Sequence, residues 1–375
     1  MSIAVIPVAG NEALWEFLRL PWRIYHGDPY WVPPLLSVQR RFLDPAHGPF
    51  FEIGEAQYFL ALRDGLPAGR ISAHLNRLYD ARHDQFTGFF GFFESVNDLN
   101  VARALFEAAG DWLRARGKTR VVGPLNFCIY DEMGLLVEGF DSMPALLQTH
   151  NPPYYQDLLA ALGFHKAMDW LAFKATERDV DTAAMEKQFQ RILARQKLRF
   201  TTYRPRELDR RADEVFALFN EAWSPNWGHV PLTRRQFRTL LHDLKPLLRP
   251  KLVNLVLDGE RLAGFSVTVP DLNPLIKQMN GRLTLWGKLR LLYAAKFQHF
   301  KKARAMVLGV AQPYQRRHLH HAMIIRTYLT VIRDNPVCEV CDFSLVPANL
   351  PHWIKVLEAF GCRRYKVFRL LEKEL

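Results

Sequence analysis

Two acids side by side in an apolar loop are the first residues whose types point to chemistry. Asp131 and Glu132 lie in L125-N-F-C-I-Y-D-E-M-G134. Burying a carboxylate is costly unless it has a task or partners, so both are candidates for moving a proton. A loop-capping or salt-bridging role is the alternative. Asn126, in the same loop, is a candidate substrate contact. Glu221 precedes a loop that carries Trp223 and Trp227. It is either another proton carrier or a solvated residue near a helix end, and the two tryptophans are either core or substrate contacts. Asp342 falls in an apolar run that reads as a central strand. It is a fourth candidate acid, with pairing to an arginine as its alternative. Cys338-x-x-Cys341 has metal-ligand spacing, yet no second pair or histidine cluster completes it. With Cys128 and Cys362, the four cysteines are too few and too scattered for a disulfide framework.

The elements that must position these residues occur twice. A61-L-R-D-G-L-P-A-G-R-I-S-A73 is echoed by L255-V-L-D-G-E-R-L-A-G-F-S-V267. Each is an apolar run, an Asp-Gly turn and a second run containing Gly69 or Gly264, the pattern of a hairpin. About a hundred residues on, L158-L-A-A-L-G-F164 is matched by V356-L-E-A-F-G-C362, a helix stopped by glycine and followed by a strand. Each half reads strand, helix, hairpin, strand, helix, strand, helix, strand. Asp98 or Asn97 is placed to cap the helix that ends at Gly117. The polar stretch from Thr176 to Ala184 marks the boundary, giving domains 1–178 and 179–375. The fold class is α/β, two tandem copies of a mixed sheet flanked by helices.

Composition narrows the setting. The chain has 375 residues, 49% of them apolar, enough for two cores. It has no run long enough to span a bilayer, and residues 1–12 lack the basic start and apolar region of a secretion signal. A cytoplasmic location is expected. The net charge is +12, and eight of those charges lie in a window without acids, Leu272 to Arg304. Trp286 and several leucines interleave with them. Such a stretch reads as a membrane-surface element at an anionic inner face, or as the basic side of a packed helix. No nucleic-acid motif is present, so nucleic acid is ranked below both.

The order of elements resembles the GNAT superfamily of acyl-CoA N-acyltransferases, whose motif is a strand, a turn Q/R-x-x-G-x-G/A and a helix. The corresponding segment is V307-L-G-V-A-Q-P-Y-Q-R-R-H-L-H-H-A322. Gln315 takes the first motif position, and His318 and His320 stand where glycines are usual. The resemblance implies that Gln315, Arg316, Arg317, His318, Leu319 and His320 line a pyrophosphate site. Helix-start amides and the helix dipole favour an anion there. It also implies that backbone N–H groups near Val310 polarise a thioester. The donor is then an acyl-CoA or an acyl carrier protein, with no metal. The matching place in the first half, F93-E-S-V-N-D-L-N-V-A102, has two acids and no basic residue, and would repel a phosphate. The first copy is expected to wall the acceptor pocket.

G123-P-L-N-F-C-I-Y-D-E-M-G-L-L-V-E-G-F-D141, H150-N-P-P-Y-Y155 and N220-E-A-W-S-P-N-W-G-H-V-P-L232 are similar to a tandem GNAT group that includes bacterial ceramide synthases. That similarity implies N-acylation of a primary amine, with a sphingoid base as one acceptor. Acetylation of a small polar amine, a non-catalytic binding role and aminoacyl transfer from tRNA stay open. The leaving-thiolate acid of the family is a tyrosine where this chain has Leu357.

Overall fold

In the computed structural model, the described residues are 2–194, 198–203, 209–315 and 319–375. The strands are β1 (Ile3–Pro7), β2 (Gly54–Arg63), β3 (Leu66–Asn76), β4 (Thr87–Ser95), β5 (Arg120–Gly123), β6 (Leu135–Glu138) and β7 (His165–Ala175). They continue with β8 (Arg199–Thr202), β9 (Val253–Asp258), β10 (Arg261–Pro270), β11 (Lys302–Val310), β12 (Val340–Pro347) and β13 (Arg363–Glu374). The chain folds into two compact units. One contains Met1–Trp170, Asn273–Leu283 and Lys366–Leu375; the other contains Leu171–Leu272 and Thr284–Tyr365.

These units do not follow a single cut at 178/179. β13 leaves the second unit at Tyr365, and its remainder belongs to the first, where Leu371 pairs with Gly123 and Phe368 with Leu136. The basic window is divided as well. Its first part, the helix Asn273–Met279, belongs to the first unit, and the helix Leu285–Lys296 belongs to the second.

In the first unit the strands run β1-β2-β3-β4-β5-β13, with β6 also on β13. The β2–β3 hairpin turns at Asp64-Gly65, both at positive φ (50° and 80°), the geometry of the hairpin turn that Asp-Gly favours. The helix Leu99–Arg114 starts at Asp98, whose side chain accepts from the Asn100 N–H at 2.9 Å. Its buried face of Val101, Ala102, Leu105, Ala109 and Leu113 packs on Ile71, Phe90 and Val121 of the sheet. Each fully buried leucine there contributes about 1.5–3 kcal/mol. The other sheet face carries Phe17, Leu18, Tyr58, Phe92 and Phe127.

β4 and β5 are parallel only over Thr87–Phe89 and Arg120–Val122, and then part. The loop after β5 enters the gap. The Leu125 N–H donates to Phe90 O at 2.8 Å, and the Phe92 N–H donates to Asn126 Oδ1 at 2.8 Å. Gly91 is required here, because a Cβ would stand 1.8 Å from Leu125 O. Gly91→Ala is therefore expected to cost more than about 3 kcal/mol, since backbone must move. Urea denaturation followed by circular dichroism checks this; a loss under 1 kcal/mol would contradict it.

The second unit repeats the plan with order β12-β11-β10-β9-β8. The helix Leu319–Asp334 buries Ala322, Met323, Ile325 and Leu329. Gly264 meets Met323 Sδ as closely as Gly69 meets Leu105, so both repeated glycines permit close helix–strand approach. β11 and β12 are parallel over Lys302–Ala305 and Val340–Phe343, and the ladder stops there. Among the described residues no backbone hydrogen bond from the segment after β12 closes this gap, and Leu350 and Trp353 of that segment line the cleft that remains.

Candidate active site

In the first unit a cavity of about 380 Å³ opens where β4 and β5 part. That volume suits a small-molecule or lipid-headgroup site. Its apolar lining includes Trp31, Val32, Pro33, Val38, Phe42 and Ile276, and its polar lining includes Glu94, Asn126, Asp131 and Glu132. The loop that holds the last three closes on itself, with a Leu125–Met133 bridge and the Asn126 N–H donating to Glu132 O at 2.9 Å. The Asn126 side chain spans the site, accepting from Phe92 and donating from Nδ2 to Glu132 Oε2 at 3.2 Å.

Burial sets the proton affinities. Asp131 keeps some solvent access along the cavity, yet its carboxyl is surrounded by protein. Loss of solvation pushes it up to about 7, opposed by the hydrogen bond from Cys128 Sγ at 2.9 Å. Glu132 is also pushed up by burial, with Asn126 and Arg70 opposing. Glu94 is raised by burial against the pull of Arg70, whose Nη2 lies 3.6 Å from Glu94 Oε1. Tyr25 and Tyr155 each donate to Glu94 Oε2 at 2.8 Å. The Arg70 guanidinium is fixed by Phe17 O at 2.7 Å and lies over the Phe17 ring. Three half-buried acids of raised proton affinity thus line one cavity with the buried Arg70, an arrangement suited to a cation that must lose a proton.

His150 closes the cavity on another side. Its Nε2 is 2.8 Å from Asp28 Oδ2, burial lowers its proton affinity, and its Nδ1 has no hydrogen-bond partner among the described residues. Sequence reasoning missed Tyr25, Asp28, Arg70, Glu94, His150 and Tyr155 as a cluster. The H150-N-P-P-Y-Y155 phrase and the lone acid in G88-F-F-G-F-F-E94 were the available signals.

The second unit has a cleft of about 130 Å³ between the parted strands. Ala305, Met306 and Leu308 of β11 face Leu345 and Val346 of β12 across it. Gly264 and Val310 are paired across β10 and β11, and the Ala311 N–H already bonds Ala263 O at 2.9 Å. In an antiparallel ladder this turns the Val310 N–H away from β10. The Val310 carbonyl accepts from Gln315 Nε2 at 3.2 Å. Trp223 lines the cleft, stacked on Phe219 with ring centroids 4.5 Å apart. Leu357 lines it too, where the family resemblance implies a tyrosine.

The remaining residues singled out in the sequence are placed as follows. Trp227 is half-buried and does not line this cleft. Glu221 is exposed and accepts the Gln312 N–H at 2.7 Å, capping the short helix Gln312–Gln315. Asp342 is fully buried and lines neither cavity. Ser344 and Tyr365 donate to it, and Arg304 Nε lies 3.8 Å away. The Arg304 approach matches the arginine-paired alternative, and Ser344 lines the second unit's cleft. Leu319 and His320 are buried at the start of their helix, and His320 Nε2 lies 3.1 Å from His352 Nε2. Arg316, Arg317 and His318 lie outside the described residues. Cys338 and Cys341 are free thiols, and burial raises both. Among the described residues no group of three or more side chains is arranged to hold a metal.

No family model matches the chain. Two curated proteins do, end to end. The chain is 35% identical to the bacterial ceramide synthase of Caulobacter vibrioides, over 100% of its own length and 98% of that protein's. It is 31% identical to Protein YghO of Escherichia coli, over 96% and 92%. Among solved structures, it superposes on a tandem GNAT protein from the clavulanic acid biosynthesis pathway. There the TM-score is 0.58 at 14% identity, covering 100% of this chain and 98% of that one. A GCN5-related N-acetyltransferase from Sphaerobacter thermophilus gives a TM-score of 0.53 at 14% identity, over 99% and 95%. The fold is therefore the tandem GNAT fold, and the protein is an acyltransferase. Within that class, the chain belongs to the family that contains the bacterial ceramide synthase.

Proposed function

We propose that the protein joins a long-chain acyl group, carried as a thioester on coenzyme A or an acyl carrier protein, to the amine of a sphingoid-type base. The observation that carries this reading is the mixed lining of the first unit's cavity. Its acids suit an ammonium, and its apolar residues suit a hydrocarbon chain. The unpartnered, uncharged His150 Nδ1 suits a hydroxyl beside the amine, as an amino alcohol would supply. The second unit's cleft, lined by β11 residues Ala305 to Leu308 at and beyond the end of the β11–β12 ladder, suits the thioester arm pairing as an added strand. Acetyl transfer to a small polar amine fits less well, because such a substrate leaves Trp31, Val38 and Phe42 facing water. Access to a membrane lipid places the protein at the inner membrane face. Among the described residues no helix is long and apolar enough to cross a bilayer.

In this chemistry the nitrogen attacks the thioester carbon, a C–N bond forms and the C–S bond breaks. An ammonium loses two protons on the way to an amide. One goes to a base, for which Asp131 is the first unit's candidate, and the departing thiolate takes up the other. Incubation of the purified protein with a mixture of acetyl- and palmitoyl-CoA and sphinganine, read by mass spectrometry, tests the reading. N-palmitoyl-sphinganine should form well ahead of the N-acetyl product. Preferential acetylation, or turnover of a small polar amine alone, would overturn it.

A further inference from the structure

The helix Leu285–Lys296 presents an apolar face to solvent. Leu285 is 71% exposed, Trp286 80%, Tyr293 61%, and Phe297 just beyond the helix 72%, with Leu289 and Leu292 also exposed. At about 100° per residue these six positions fall within an arc of about 140°. The opposite side holds the buried Ala294 and Ala295, so the packed face of the helix is already accounted for. Monomeric proteins rarely leave a contiguous patch of this kind uncovered. Lys288 lies beyond one edge of the arc and Arg290 beyond the other, while Lys296, in the last turn, falls within it. No acid occurs between Leu272 and Arg304.

An apolar stripe whose charged neighbours are all cations matches a bilayer interface bearing anionic headgroups. A Trp and a Tyr sit in the stripe, where amphipathic rings favour the headgroup level. A second copy of the chain would bring like charges together at this border, which favours the lipid surface over self-association. We infer that Leu285, Trp286, Leu289, Leu292, Tyr293 and Phe297 insert into the outer part of an anionic bilayer, with Lys288, Arg290 and Lys296 on its headgroups. The helix Asn273–Met279 is excluded from this surface. Asn273 Nδ2 bonds Pro144 O at 2.8 Å, and Ile276 lines the first unit's cavity.

The inference stands on exposure and charge, independently of which amine is acylated. It is tested by co-sedimentation of the full chain with phosphatidylcholine vesicles, with and without phosphatidylglycerol. Wild type should bind only the anionic vesicles and be released by high salt. A variant carrying Trp286→Ser, Leu289→Ser and Phe297→Ser should sediment poorly. Lys288→Glu with Arg290→Glu and Lys296→Glu should weaken binding about a hundredfold or more. Both variants should keep wild-type circular dichroism and wild-type transfer to detergent-dispersed amine. Absence of vesicle binding by wild type, or unchanged binding by both variants, would overturn the inference. So would a wild-type dimer that the serine variant abolishes without any vesicle binding. Loss of transfer with vesicle binding intact would instead strike the proposed function.

Discussion

Asp131→Asn should lower the rate of amide formation by about 10²–10⁴-fold, the range expected when a positioned base is removed. In wild type, kcat/KM for the amine should rise with pH and level off above about 7, where burial has placed this carboxyl. The asparagine variant should lose that limb. A second readout separates catalysis from folding. Asp131 titrates near 7 in the folded protein against an ordinary value of 3.8. Between those values the folded protein holds a proton that the unfolded chain has released. The stability tied to this site is therefore fully present below about 4 and is lost as pH rises toward 7. Asparagine does not titrate, so the Tm of the variant should gain on wild type from pH 5 to pH 8. Equal wild-type activity at both pH values, or a variant less stable at pH 8 than at pH 5 relative to wild type, would contradict this role.

Ala305→Phe should nearly abolish transfer by a different route. Ala305 pairs with Phe343 at the last rung before β11 and β12 part. A phenyl ring there fills a cleft of about 130 Å³ and displaces a thioester arm. The donor KM should rise about a hundredfold, as expected when a reacting group is moved by an ångström or more. The acceptor KM should stay near wild type. Overpacking costs about 1–3 kcal/mol, so denaturation curves must accompany the kinetics. An unchanged donor KM in a folded variant would remove the cleft from the account.

Much of the fold was legible because local signals agreed with the global plan. The Asp-Gly turns, the glycine-stopped helices and the alternating order of elements each mark a position where few other conformations are open. The strand exchange was not legible. β13 is a mixed apolar and charged run, and nothing in Arg363–Glu374 names the sheet it joins. The basic window misled for a related reason. Charge spacing alone does not reveal that Asn273 and Ile276 turn inward while Trp286 stays outside.

The site was legible in part. Asp131 and Glu132 stood out as acids in an apolar loop, and they do face a cavity with Asn126. Glu94 did not stand out as a site residue. It was read as a charge repelling phosphate, but its partners Arg70, Tyr25 and Tyr155 come from distant segments that only the fold assembles. Asp342 shows the converse. A central-strand acid looked functional; Asp342 lines neither cavity, and it is held by Ser344, Tyr365 and Arg304, of which Ser344 lines the second unit's cleft. Its partners, too, are set by tertiary packing.

The division of labour between the two units is tested most directly by equilibrium binding, without turnover. A non-transferable long-chain acyl-CoA analogue and sphinganine are titrated separately into wild type, Asp131→Asn and Ala305→Phe. The account predicts a crossed pattern: Ala305→Phe loses the thioester analogue and keeps the amine, while Asp131→Asn weakens the amine and keeps the analogue. Loss of both ligands in either folded variant, or loss of the analogue through Asp131→Asn alone, would contradict it.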